Sequence, residues 1–450
     1  MKTLLTRIEF MAIFSKLSPA QVLVIGFLLI ILIGTGLLLL PISTHQHVSL
    51  SVVDAFFTAT SALCVTGLSV VSLPETFTLF GQLVILGLIQ LGGLGIMTIT
   101  TLAAMVLGRK IGIRDRLFMK EGLNQLSLQG LVVLVRRIIR FSLLIQFTLA
   151  TYLSIVLFPE HGFRAIYLGI WHAVSAFCNA GFDLFGNSSL SGFSTQPITL
   201  ALIGFTIVLG GLGFSVLHEI YTLRSWKKLS EHAKLVLSSS LILIVLGTGM
   251  FLGSPVASDS NSNGFSVNSV AQAFFLSISS RTAGFSTFDL SSLSDKQMMG
   301  MMFLMFVGGS PASVSGGIKT TTIAIVILAV IAYIRSDRTL RLFDREVHDD
   351  TIRKAFSVFV LSLVFVVTVA FALSSIEKAP FQALFFESIS AFATVGLSLG
   401  ITPNLEDSSK IILSVTMFVG RVGLTSLMIS LVRPAPARFI SKPKARLIVG

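Results

Sequence analysis

Residues 64–68 read Cys64-Val65-Thr66-Gly67-Leu68, and the chain returns to the same kind of tract three more times: Cys178-Asn179-Ala180-Gly181-Phe182, Arg281-Thr282-Ala283-Gly284-Phe285 and Ala393-Thr394-Val395-Gly396-Leu397. The glycine-to-glycine steps are 114, 103 and 112 residues. Each tract closes a segment, 53–71, 169–186, 270–290 or 381–400, that carries an early aromatic pair: Phe56-Phe57, Trp171-His172, Phe274-Phe275 and Phe385-Phe386. These segments are too apolar for aqueous loops. They are also too short to cross a bilayer core, which needs about 20 apolar helical residues. A serine six residues before the glycine recurs in three copies (Ser61, Ser175, Ser390), and Ile278 breaks the pattern in the third.

A second glycine cluster follows every tract. Leu91-Gly92-Gly93-Leu94-Gly95 matches Leu209-Gly210-Gly211-Leu212-Gly213, while Val307-Gly308-Gly309-Ser310-Pro311 and Val419-Gly420-Arg421-Val422-Gly423 occupy the same place. The first glycine of each cluster lies 25, 29, 24 and 24 residues after the tract glycine. Two markers in one register over four copies define an internal repeat. Eight long apolar stretches flank the tracts: 19–40, 76–107, 131–158, 197–223, 232–252, 298–333, 355–373 and 409–432. The expected fold is an all-α polytopic membrane protein. Its unit is span, half-length re-entrant helix with extended tract, span, used four times around a pseudo-fourfold central pore. The repeats fall at 1–110, 111–230, 231–350 and 351–432, followed by a basic tail at 433–450.

Composition agrees with this reading. Only 12% of the 450 residues are charged and 53% are apolar, against about 25% charged in a soluble domain. A water-soluble globule, a coiled coil and a disordered chain are excluded. The net charge of +12 does not mark a nucleic-acid binder, because the cations are not gathered on a folded polar face. Of 33 Lys and Arg, 26 lie in five segments on one side of the proposed spans and four on the other. The excess of basic residues on cytoplasmic loops puts both termini in the cytoplasm. Cys64 and Cys178 are far from any metal or redox spacing and read as small buried residues. Walker, HExxH and GxSxG motifs are absent. The glycines at 92–95 resemble half a dinucleotide loop, but without a βαβ context. An enzyme is not expected.

Irregular backbone at membrane depth cannot face lipid, because its N–H and C=O groups would lack partners, but it can line a cavity. Four such tracts around one axis make one cavity, in which backbone carbonyls replace the hydration shell of a cation. Glycine suits the tract because it adopts positive φ without penalty and helps turn carbonyls toward the axis. The short helices before the tracts would aim negative C-terminal ends at the ion. The expected cation ligands are backbone carbonyls of Val65, Thr66, Gly67, Asn179, Ala180, Gly181, Thr282, Ala283, Gly284, Thr394, Val395 and Gly396. The alternative for the glycines is close helix packing of the small-xxx-small kind.

The four tracts, the Gly-Gly clusters, Arg421 and the 307–319 segment resemble the Trk/Ktr/HKT superfamily of potassium transporters, most closely the bacterial Ktr membrane subunit. The resemblance covers about 19–432. It implies potassium uptake across a bacterial plasma membrane, a homodimer, and gating by a cytosolic nucleotide-binding regulatory ring. It implies K⁺ as the transported ion, Na⁺ as a candidate activator, and no organic cofactor. In the family, serine at the first tract glycine is associated with sodium permeation, so glycine at position 67 favours potassium. Rival readings are sodium- or proton-coupled symport, sodium permeation, and a multi-span scaffold or membrane enzyme whose glycines serve packing only.

Several residues stand out for gating. The 307–322 segment, with Gly308, Gly309, Ser310, Gly316 and Gly317, interrupts the sixth span with more small and breaking residues than one kink needs. It reads as a mobile gate, against the alternative of a simple kink. Arg421 replaces the second glycine of its cluster, and a charge at that depth must face a cavity or a partner. It would act as a barrier to cations, or pair with a buried acid such as Glu387 or Asp54. Lys319 would tether the gate, compete with cations, or snorkel to the inner interface. Arg281 reads as a brace for its tract, Asp54 and Asp183 as acids that concentrate cations, and Glu387 as a brace within its helix. The basic loops 109–140 and 335–354 serve orientation and lipid contact, or docking of the regulatory ring.

Overall fold

The computed structural model describes residues 19–46, 49–95, 98, 131–186, 189–252, 266–337, 339–424 and 427–428. The 433–450 tail, most of the 109–140 loop and the far ends of the 76–107 and 409–432 spans lie outside the described residues. Four long helices begin the four repeats: α1 (Pro19–Leu38), α4 (Leu131–His161), α8 (Glu231–Phe251) and α12 (Asp349–Ser374). All four carry stretches long and apolar enough to cross a membrane. Their outer faces expose Leu32, Ile33, Leu144, Phe147, Leu241, Val245, Leu246, Val364 and Phe371. Such an apolar exterior would be an aggregation hazard in water, whereas in a bilayer it meets lipid.

The re-entrant helices are the buried ones: α2 (Val52–Cys64), α5 (Arg164–Cys178), α9 (Val267–Ser279) and α13 (Phe381–Ala393). One aromatic of each pair, Phe57, Trp171, Phe275 and Phe386, is completely enclosed. Side-chain caps start two of these helices, Ser51 accepting from Asp54 N at 3.0 Å and Ser266 from Ser269 N at 3.1 Å.

The second spans are α3 (Leu79–Leu94), α6 (Pro197–Gly211) with α7 (Phe214–Leu223), α10 (Asp295–Phe306) with α11 (Thr320–Ile334), and α14 (Asp407–Val422). Here the helices are shorter than the expected apolar stretches. The last glycine of the cluster ends the helix in three repeats: Gly95, Gly213 and Gly423 have φ of +82°, +93° and +88°, a region closed to a helix of L-residues. At Gly213 the chain turns so sharply that α6 and α7 meet at 101°. In the third repeat α10 stops at Phe306, and residues 307–319 form an irregular loop before α11. A two-stranded hairpin, β1 (Arg341–Leu342) and β2 (Arg345–Glu346), links the third and fourth repeats.

The four repeats close on themselves. The second span of each repeat packs on the re-entrant helix of the next: α3 on α5, α6 on α9, α10 on α13, and α14 back on α2. In lipid no hydrophobic drive holds helices together, so close van der Waals fit must do so. The same demand holds inside a repeat, where the first cluster glycines let the second span lie close against its own re-entrant helix. A Cβ at Gly92, Gly210 or Gly420 would collide with the carbonyl of Leu63, Phe177 or Phe392, the residue four before each tract glycine. In the third repeat the equivalent Gly308 instead abuts the Gly316 carbonyl of the inserted loop. An ion pair joins the ends of the ring, Lys410 Nζ on α14 donating to Asp54 Oδ1 on α2 at 2.7 Å. Asp54 is therefore occupied by a lysine, which corrects the reading of it as a free acid that concentrates cations.

Candidate functional site

The tracts begin where the re-entrant helices end. After α2, α5 and α13 the chain closes with a left-handed residue, Val65 (φ +58°), Asn179 (+56°) or Thr394 (+52°). The next N–H in each case returns to a carbonyl five residues back: Thr66 to Ser61 (2.8 Å), Ala180 to Ser175 (2.8 Å) and Val395 to Ser390 (2.9 Å). This is the Schellman closure, which normally uses glycine. In the third repeat Thr282 takes the positive φ, +97°. Three of the four are β-branched residues in a conformation that costs of order 1–3 kcal/mol each and persists only where its surroundings enforce it.

Two residues later comes the glycine, with φ of +95° at Gly67, +68° at Gly181, +75° at Gly284 and +92° at Gly396. Thr66, Ala180, Ala283 and Val395 between them are not positive. Alternation of this kind lets successive carbonyls point the same way.

The structure brings the four glycines together. A Cβ on Gly67 would lie 2.5 Å from the Ala180 carbonyl oxygen, and one on Gly181 would lie 2.7 Å from that of Ala283. Gly284 abuts the Val395 carbonyl in the same way, and Gly396 abuts that of Thr66. The contacts run from tract one to two, three, four and back to one. At this level no side chain fits between neighbours, so backbone alone forms the ring.

Serine hydroxyls hold each tract. Ser61 accepts from Gly67 N (3.2 Å) and Ser390 from Gly396 N (3.1 Å), while Ser175 donates to the Phe182 carbonyl (2.7 Å). In the third repeat Ser279, five residues before its glycine, donates to the Phe285 carbonyl at 2.5 Å. The apparent break at Ile278 is thus a one-residue shift, and Gly284 N also returns to Ser279 O (3.3 Å). In all four repeats the serine stands four residues after the buried aromatic (Phe57, Trp171, Phe275 and Phe386), a register that counting from the glycine hides.

The loop at 307–319 is tied on three sides. Ser310 N and Val314 N donate to the carbonyls of Gly211 (3.0 Å) and Gly210 (3.3 Å), and Phe214 N donates to Ala312 O (3.0 Å), so the loop fills the break between α6 and α7. Toward the tracts, Thr282 Oγ1 donates to Ser315 Oγ at 2.8 Å. Satisfying the Asn179 amide places its oxygen 3.1 Å from Ser315 Oγ and its nitrogen 3.1 Å from the carbonyls of Ile207 and Ala176. Ser315 therefore joins the loop to tracts two and three. Gly316 and Gly317 lie directly against Thr394 and Ala393 of the fourth repeat, where a Cβ would not fit beside Thr394.

Arg421 supplies the third tie. Its two terminal nitrogens donate to the carbonyls of Val314 in the loop and Gly92 in α3. Neither Glu387 nor Asp54 is its partner, because the acids are otherwise engaged. Glu387, fully buried, accepts from the hydroxyls of Ser398 and Thr402, the latter at 3.1 Å. Lys319 Nζ donates to Ser315 O at 2.6 Å, a bond within the loop itself. Arg281 donates to Ser240 O at 3.4 Å beside a cavity of about 20 Å³, room for one water, lined also by Asn179, Gly211 and Gly309. Asp183 accepts from Phe185 N at 2.9 Å in the turn after its tract. Among the described residues no cluster of three or more His, Cys, Asp or Glu could hold a metal ion. Carbonyls are the donors this site offers.

Comparison with known proteins agrees with this architecture. Residues 18–442 match the TrkH family, described as "Cation transport protein". The chain is 40% identical over 440 residues to "Ktr system potassium uptake protein B" of Bacillus subtilis (strain 168), covering 97% of each chain. It is 36% identical to "Potassium/sodium uptake protein NtpJ" of Enterococcus hirae, covering 92% of this chain and 93% of that one. Among solved structures, the "Potassium Transporter TrkH from Vibrio parahaemolyticus" superposes with a TM-score of 0.69 at 19% identity, over 90% of this chain and 84% of that one. That likeness is one of fold: an all-α membrane protein of four repeats. The repeated ring and the length of the match lead to one conclusion: the chain belongs to the TrkH family of cation transport proteins, a family of transporters rather than enzymes.

Proposed function

We propose that the chain takes up potassium across the plasma membrane through the ring at Gly67, Gly181, Gly284 and Gly396. The observation that carries this reading is the closed contact of the four glycines, each against the carbonyl preceding the next. Oxygens of the tract residues around such a ring act as surrogate water for a dehydrated monovalent cation. The Bacillus subtilis relative is named for potassium uptake. The membrane potential supplies about 2.3 kcal/mol per charge for each 100 mV, so uptake needs no ATP on this chain. The basic segments face the cytoplasm and both termini lie there. Below the ring the 307–319 loop, held by Ser315 and Arg421, is the gate. A homodimer and a cytosolic nucleotide-binding ring complete the assembly, in keeping with the word "system" in the relatives' names.

A second reading, sodium permeation, is favoured by one observation, the name of the Enterococcus relative. Rb⁺ and Na⁺ influx into vesicles carrying the purified protein tests both. Rb⁺ influx that excess Na⁺ does not reduce supports potassium selectivity, and equal fluxes support the second reading. Gly181→Asp should abolish influx and fail to rescue a strain deficient in potassium uptake. Wild-type influx in that variant would remove the ring from the ion path.

A further inference from the structure

The segment 214–228 has a geometry that ion conduction does not require. Because α7 leaves α6 at 101°, a helix pair with one member crossing the bilayer has its other member along the bilayer plane. One face of α7 is used internally: Val216, with Leu217 beside it, packs against Leu212, Leu229, Ala233 and Val236. Further along the same side of the helix, past the end of that packing, and in the turn after it, Ile220, Tyr221, Leu223 and Trp226 are all exposed. Arg224, Lys227 and Lys228 are exposed in the same stretch. Arg224 closes α7 in a left-handed conformation (φ +49°) with its guanidinium 5.8 Å from the centre of the Tyr221 ring.

The acids nearby do not offset these cations. Glu219 accepts from Ser230 N and Oγ at 3.0 Å each rather than from one of these cations, and its single charge leaves the stretch net positive. Glu231 faces Arg345 at 3.2 Å. On the neighbouring α4, Arg137 meets the His218 ring at 2.8 Å, adding positive charge. A planar helix that exposes Trp, Tyr and Leu beside unopposed Lys and Arg has the composition of an interfacial element.

We propose that residues 214–228 form a membrane-surface elbow that binds anionic phospholipid headgroups. The aromatic and aliphatic side chains sink to the headgroup boundary, and Arg224, Lys227 and Lys228 meet lipid phosphates. The proposal rests on the reading that the basic segments mark one membrane face, but its test is independent of ion flux. Trp171 is fully buried while Trp226 is 52% exposed, so the difference between the wild type and Trp226→Phe isolates the Trp226 emission.

The full chain is placed in phosphatidylcholine vesicles containing equal fractions of either phosphatidylglycerol or phosphatidylcholine brominated high on the acyl chain. Trp226 should be quenched by both lipids, more strongly by the brominated phosphatidylglycerol, and little by aqueous acrylamide. In Lys227→Gln/Lys228→Gln, with Rb⁺ influx as the check on folding, the preference for phosphatidylglycerol should fall about fivefold per lysine removed. Quenching by acrylamide and not by lipid would overturn the proposal and leave a face for an aqueous partner. Shielding from both would overturn it in favour of a second protein copy. Equal quenching by the two brominated lipids would remove the headgroup site.

Discussion

Ser315→Ala tests whether the loop and the ring move together. The Ser315 hydroxyl accepts from Thr282 Oγ1 at 2.8 Å and lies 3.1 Å from the Asn179 amide oxygen. Thr282 and Asn179 are 0% and 2% exposed, so no water replaces the lost bonds while the loop stays in place, although the Thr282 hydroxyl can turn to the Asn179 amide oxygen 3.2 Å away. The loss is then that of a net hydrogen bond, about 0.5–1.5 kcal/mol. A displaced loop admits water to both groups and escapes that cost. The substitution therefore biases the equilibrium toward the displaced loop by about 2- to 13-fold. Rb⁺ influx into vesicles at a fixed potential should rise by up to that factor, saturating once the open form predominates. Because two tracts lose a tie, Na⁺ influx should rise with it. Thr282→Val should act similarly, and the double variant should show much less than the sum of the two effects, since both remove one shared bond. Unchanged influx in a folded Ser315→Ala protein, or additive effects in the pair, would refute the coupling.

Three further outcomes follow from the same geometry. Arg421→Gln breaks the bridge between Val314 O and Gly92 O and removes a charge from beneath the ring, so influx should rise severalfold; Arg421→Lys, which reaches one acceptor at a time, should fall between, and loss of folded protein in both would assign Arg421 a packing role alone. Asp54→Asn should lower the stability of the detergent-solubilised protein by about 1.5–3 kcal/mol, the range for a hydrogen bond to a charged group, with Lys410→Met adding little to it; thermal unfolding monitored by fluorescence reads both. Ser279→Ala and Ser175→Ala should both impair influx, whereas Ile278→Ser should not improve it, since the hydroxyl that holds the third tract is already supplied one position later.

The fold class was legible because its signals are local. Long apolar helices, short apolar segments ending in glycine, and basic loops on one side each follow from residue types within a window of about 20 positions. The four Gly-bearing tracts were visible for the same reason: positive φ at Gly67, Gly181, Gly284 and Gly396 is a local demand that glycine meets. Less legible was what each second cluster does. Gly92, Gly210 and Gly420 read as repeat markers, but their reason is a neighbour 28 to 33 residues away in sequence, the carbonyl at the end of a re-entrant helix. The helix breaks at Gly95, Gly213 and Gly423 are not legible in the sequence, because glycine is common inside membrane helices and its φ is decided by context.

Partners of charged groups lay furthest from view. Arg421 satisfies itself on two carbonyls from different repeats, Asp54 on a lysine 356 positions later, and Glu387 on two hydroxyls. A sequence shows that a buried charge must be compensated, since leaving it bare in a low-dielectric interior is prohibitive, but backbone carbonyls carry no residue-type signature to search for. Apolar periodicity and glycine spacing by themselves determined a four-repeat membrane chain with backbone-lined tracts. Only the tertiary closure of α14 onto α2 decided that the tracts share one axis, that a loop from the third repeat lies beneath them, and which atoms hold it there, because those contacts pair groups whose proximity arises from folding rather than from chain order.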